Sequence, residues 1–132
     1  MVYVAFEKVM SAARMSRYKK ACAYNTRKAM ELYRYNLRLS QEMFTVISCF
    51  EVALRNAFDR HCTGYLGSDW LKDSISPGGT FYVGFNITNN IIADAVNELG
   101  VNYTHTKLVA KMDFGFWRYM FSRDQYKALG NM

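Results

Sequence analysis

The sequence predicts an all-α protein, a bundle of about five helices interrupted by one long glycine-rich loop. Three observations lead there. Apolar residues recur at three- and four-residue spacing over most of the chain, which is the period of a helix with one buried face. The only proline and five of the eight glycines fall in one central segment. No apolar–polar alternation is long enough to build a sheet. The chain is 51% hydrophobic and 16% aromatic over 132 residues. That is enough to close one core without disulfides or a structural metal, so a single domain over 1–132 is expected.

Taken in order, Phe6, Val9, Met10 and Ala13 fall at helical spacing, and Met15, Tyr18, Ala21 and Cys22 continue in a second register. Asn25 or Thr26 can cap the next helix. Residues 25–63 then read as one bent helix or as two, the second capped by Ser40. Its later apolar set is Met43, Phe44, Val46, Ile47, Phe50, Ala53, Leu54, Ala57 and Phe58, with Gly64 as the stop, which puts His61 in the last turn. The segment GYLGSDWLKDSISPGGTFYVGFNITNN carries turn signals at SPGG and is expected to be a long connection. One helical turn is expected at 69–72 and a short extended piece near 81–85. Helix resumes at Thr88 or Asn89 and closes at Gly100, with Ile91, Ile92, Ala95, Val96 and Leu99 inward. A last helical stretch runs from 107 toward 121, broken near DFGFW.

The net charge of +6 is uneven. Through Arg60 there are eleven Lys and Arg against five acids; beyond it, six against six. No acid lies between Glu7 and Glu31, where Arg14, Arg17, Lys19, Lys20, Arg27 and Lys28 accumulate beside Tyr18 and Tyr24. Such a stretch can follow a phosphate backbone with tyrosines available for stacking, or be a solvated helix face. Cys22, Cys49 and Cys62 form no CxxC pair and suit neither a disulfide framework nor zinc. No run approaches ~20 apolar residues, and Glu7 and Lys8 interrupt any signal-peptide core, so a cytoplasmic protein with no membrane association is expected.

The chemistry concentrates in EVALRNAFDRH, residues 51–61. An imidazole can take a proton from a 2′-hydroxyl or give one to a leaving 5′-oxygen, and a guanidinium can hold phosphoryl oxygens as charge builds, without metal or other cofactor. Arg55 and His61 are six residues apart, hence roughly 120° around a helix and ~9 Å along it. A long arginine reach, a distorted last turn or a second copy of the chain would each bring them onto one phosphate. The competing account is structural: a Glu51–Arg55 i,i+4 ion pair and a histidine capping the final carbonyls.

The flanking residues add to this. LYRYNLRLSQEMFTVISCFEVALRNAFDRH, followed by Trp70 and then KLVAKMDFGFWRYMF, resembles the Abi-like (abortive infection) proteins of the HEPN superfamily. There an LY..N..LS helix precedes an E..LRN helix, and an FGFW segment lies near the end. The resemblance covers about residues 16–121. It implies a HEPN-like helical bundle that pairs as a homodimer, with the Arg and His motifs facing across a cleft. It also implies metal-independent endoribonuclease activity on RNA in phage defence or toxin–antitoxin systems, with a cognate antitoxin or regulatory protein as a further partner. By position, Arg55 would stabilise the phosphate and His61 act as acid or base. Asn56 would orient substrate or motif, and Glu51 would position Arg55. The alternative is a non-catalytic module of the same fold that binds RNA or a partner protein.

Other residues carry weaker signals. His105, in NYTHTKL, is expected to start a helix rather than act as a second catalytic histidine. Phe114, Phe116 and Trp117 are expected in the core under a kink permitted by Gly115. Lys107 and Lys111 read as solvated charges, and the eight methionines as core filler.

Overall fold

A computed structural model describes residues 2–130, and no strand occurs among them. Eight α-helices are present: α1 Tyr3–Met10, α2 Ala12–Ala21, α3 Thr26–Leu66, α4 Trp70–Asp73, α5 Asn86–Leu99, α6 His105–Lys111, α7 Phe114–Tyr119 and α8 Arg123–Ala128. A 3₁₀ turn, Gly100–Asn102, follows α5. No helix among the described residues is long and apolar enough to cross a membrane. The chain packs as two compact units, Met1–Cys49 and Phe50–Met132, divided within α3.

In the first unit α1, α2 and the start of α3 enclose Phe6, Met15, Ala29 and Tyr33. The Tyr33 ring meets Phe6 edge-on at 5.6 Å and Tyr18 at 5.0 Å. Ser11, at φ 75°, turns the chain between α1 and α2, and its Oγ accepts from the Arg14 N–H at the start of α2. This corner explains the change of register read from the sequence. Ala23 and Tyr24, both left-handed, turn it again, and Asn25 Oδ1 caps α3 by accepting from the Lys28 N–H at 3.0 Å. Glu7 ties the unit together, accepting from the Tyr3 hydroxyl at 2.9 Å and pairing with Lys19 at 3.1 Å.

In the second unit the core runs from Phe58 and Cys62 on α3 through Trp70, Leu71, Phe81, Ile92 and Leu108 to Trp117 and Met120. Phe58 is its aromatic centre, with Trp70, Trp117 and Phe121 rings at 6.0, 5.7 and 5.4 Å. α8, which the sequence reading did not anticipate, sends Gln125 inward to donate to Thr88 Oγ1 of α5 at 2.8 Å.

Several expectations are corrected. Among the described residues there are more helices than five, because the stretch expected from 107 toward 121 divides into α6 and α7 and a further helix, α8, follows it. Of the two readings of 25–63 the single helix holds, α3 running unbroken from Thr26, and Ser40 bonds back to the Asn36 carbonyl instead of capping a second helix. Gly64 does not stop it; α3 reaches Leu66, and Gly67 at φ +104° supplies the left-handed residue beyond the end. Residues 81–85 are turns and bends, not an extended piece. The break before FGFW is made by Asp113, whose Oδ1 caps α7 by accepting from the Phe116 N–H at 2.8 Å, and Gly115 needs no special φ there. The apolar set of α3 divides: Phe58 is buried, whereas Met43, Phe44, Val46, Ile47 and Phe50 are exposed, Phe44 by 73%.

Candidate functional site

Phe58 and Cys62, i and i+4 on α3, define its buried stripe. Arg55 and His61 stand three residues to either side of Phe58, hence about 60° from it in opposite senses; Arg55, seven residues before Cys62, stays within about 20° of that residue, whereas His61 is about 100° from it. The two surroundings differ. Arg55 is half-buried, and its Nε is enclosed with no hydrogen-bond partner. His61 is exposed; its ring meets the Tyr65 ring at 5.1 Å. With Phe58, Phe121 and Tyr126 it lines a shallow apolar cavity of about 200 Å³. His61 lies five residues before the end of α3, so the expected last-turn position beside free carbonyls is not realised. Asn56 is exposed and Glu51 half-buried. Among the described residues Glu51 makes no ion pair with Arg55. The structure thus places Arg55 and His61 on one helix without bringing them together.

Asp59 lies between them in sequence. It is the hub of the unit's polar network. A single oxygen, Oδ1, accepts from Trp70 Nε1 at 2.8 Å and from His105 Nε2 at 2.7 Å, tying α3 to α4 and α6. A carboxylate only accepts, so His105 Nε2 must carry the proton. The other nitrogen, Nδ1, is enclosed and lies 3.8 Å from Asp69, too far for a hydrogen bond. With both nitrogens facing carboxylates, His105 is a fastening, and it is the first residue of α6 as expected, behind the Thr104 cap. Tyr103 donates to Asp69 Oδ1 at 2.7 Å under the Lys72 ammonium. Burial, then this bond, pushes the Tyr103 hydroxyl pKa upward. Burial, with the Asp59 charge adding, pushes the Cys62 thiol to about 12. None of the three cysteines is in a disulfide.

The basic cluster of the first unit also divides. Lys19 is committed to Glu7 and Arg27 to Glu31, while Lys20 and Lys28 are simply exposed. Arg14 and Arg17, three apart on α2, share a groove of about 240 Å³ with Tyr18, Tyr33, Asn36 and Leu37. Lys107 and Lys111 are exposed charges as expected, Lys107 donating to the Asn102 carbonyl and Lys111 pairing with Glu98 at the surface. A larger concavity of about 750 Å³ between α5 and α6–α7 has an apolar floor and charges of both signs. Among the described residues no three His, Cys, Asp or Glu side chains come together as metal ligands.

No protein-family model matches the chain, and neither a curated protein nor a solved structure is significantly similar to it.

Sequence reasoning missed the Asp59–Trp70–His105 network, whose members are up to 46 residues apart. It also missed the way α3 contributes Tyr33 and Asn36 to the arginines of α2. The only local signal for the latter was the i,i+3 spacing of Arg14 and Arg17.

Proposed function

We propose that this protein is a metal-independent endoribonuclease of the HEPN, abortive-infection type, acting in the cytoplasm as a homodimer, with a cognate antitoxin or regulator as a further partner. The observation that carries the reading is Arg55. Its Nε is enclosed without an acceptor and its guanidinium joins no ion pair among the described residues, so on the same helix as an exposed histidine it is a charge without a protein counter-ion, which an anionic substrate at its terminal nitrogens would balance. In the proposed reaction His61 takes the proton from a ribose 2′-hydroxyl, whose oxygen attacks the adjacent phosphorus. The P–O5′ bond breaks, the 5′-oxygen leaves with a proton supplied by water, to which His61 afterwards returns the proton it took, and a 2′,3′-cyclic phosphate remains. Arg55 holds the phosphoryl oxygens while their charge grows. The angular separation of the two residues favours Arg55 of one chain working with His61 of another, and the exposed Met43, Phe44, Ile47 and Phe50 offer apolar surface for pairing.

A second reading, a non-catalytic module that binds RNA or a partner, is favoured by one observation. The neighbour of the His61 ring is the Tyr65 ring rather than a carboxylate that would orient a catalytic imidazole.

Single-stranded RNA incubated with the protein in EDTA tests both. Cleavage is expected to fall about 10²–10⁴-fold in His61→Ala and about 10²–10³-fold in Arg55→Ala, with melting temperatures unchanged. Mixing the two inactive variants in equal amounts makes half the dimers mixed, each with one whole site of two. About a quarter of wild-type activity should then return. Undiminished cleavage in both single variants would remove the site assignment. RNA affinity without any cleavage would favour the binding module.

A further inference from the structure

The first unit carries the whole net charge: nine Lys and Arg against three acids, compared with eight against eight in the second. Within it the α2–α3 groove is distinctive, because its lining holds two arginines and no acid. Arg14 and Arg17 occupy one face of α2, a turn apart, where two guanidiniums can grip one phosphate. Arg14 and Tyr33 line the same groove, and hydrogen bonding with the Tyr33 side chain raises the Arg14 pKa. Tyr18, wedged edge-on against the buried Tyr33, gives the groove an aromatic wall fixed by the core. Asn36, from α3, brings an amide able both to donate and to accept. At about 240 Å³ the groove is below the range of drug-sized pockets and has room for one nucleotide at most.

We propose that this groove is a nucleotide subsite, with Arg14 and Arg17 on the phosphate, Tyr18 against the base and Asn36 on a base edge or ribose hydroxyl. The proposal rests on the reading of RNA as the ligand and names a place in the first unit where an unpaired nucleotide is held, whereas Arg55 and His61 belong to the second. An unpaired base can lie against a tyrosine, whereas duplex RNA buries its bases.

The test is fluorescence anisotropy of a labelled oligouridylate of about 12 nucleotides, with uridine monophosphate as competitor and His61→Ala as the common background so that no RNA is cut. Replacing both arginines, Arg14→Gln with Arg17→Gln, should weaken binding tenfold or more and flatten the salt dependence by about 1.4 log units per log unit. The control pair Lys20→Gln with Lys28→Gln removes the same charge outside the groove and should cost less than threefold. Tyr18→Leu should weaken binding and Tyr18→Phe preserve it. Competition by the monophosphate that disappears in the arginine pair identifies a free nucleotide as a ligand too; competition by RNA alone assigns the groove to strands.

Equal losses in the two charge pairs would overturn the subsite, as would no binding of either probe. Arg17→Gln alone, at an exposed position, covers the case in which loss of the Arg14–Tyr33 contact lowers the melting temperature. Single-turnover cleavage at saturating RNA, measured with His61 intact, separates the two ideas. A failed groove leaves that rate unchanged, and a working groove on RNA that is never cut counts against the nuclease alone.

Discussion

Replacing Asp59 by alanine removes the carboxylate, and with it the single oxygen that serves both donors. Trp70 is 1% exposed, and the His105 side chain is 16% exposed. Neither Trp70 Nε1 nor His105 Nε2 then has a ready substitute for the carboxylate. A hydrogen bond to a charged group contributes about 1.5–3 kcal/mol. The Asp59 side chain is itself 25% exposed, so water compensates in part and the lower figure applies to each, giving a loss of about 3 kcal/mol. Asparagine keeps the shape and one acceptor but not the charge, and should cost about half as much. Both tryptophans, Trp70 and Trp117, belong to the second unit. Urea unfolding followed by tryptophan fluorescence therefore reports the part of the molecule that Asp59 fastens. With a urea slope of about 1.5 kcal/mol per molar, the alanine variant should unfold at a midpoint about 2 M lower. If both variants stay within about 0.5 kcal/mol of wild type, the hub is an incidental contact and the reasoning fails.

Two further outcomes follow from the second unit. A thiol with a pKa near 12 is almost wholly protonated at pH 8. Iodoacetamide should modify the exposed Cys49 first and Cys62 only at the rate of unfolding, as peptide mapping over time would show; because that pKa is raised on folding, stability is full below the ordinary thiol range and declines as pH climbs toward 12. At Gly79 a Cβ would meet the Asp73 carbonyl oxygen at 2.3 Å and the Ser74 carbonyl oxygen at 2.5 Å, whereas nothing lies within 4 Å of one at Gly64. Gly79→Ala should therefore destabilise by about 2 kcal/mol or more, and Gly64→Ala, inside α3, should stabilise by about 0.5–1 kcal/mol; the reverse order in thermal melts would contradict the placement of that loop.

What could be read from the sequence was local. Asn25 announces its helix because a side chain two or three bonds long reaches the nearest free N–H, and SPGG announces a turn by its backbone preferences. Gly64 misled because a glycine inside a long helix costs only about 1 kcal/mol, which the packing of Phe58 and Cys62 easily outweighs. Ser40 misled because a hydroxyl that caps a helix can equally bond back within one. The angular separation of Arg55 and His61 followed from helical geometry alone. The Asp59 hub and the α2–α3 groove did not, since each joins residues that no period or spacing relates. The mid-helix apolar run of α3 reads as core by its period yet is exposed, because hydrophobicity marks what is to be covered and says nothing of what covers it.

The unbroken course of α3 past Arg55 and His61 bears on dosage. If the two residues act only across a pair of chains, then below the dissociation constant of that pair the rate grows with the square of the amount of protein. Specific activity would fall on dilution, and a few-fold change in expression would be amplified without any moving part. Any partner covering the exposed run of α3 would silence the activity by competition alone.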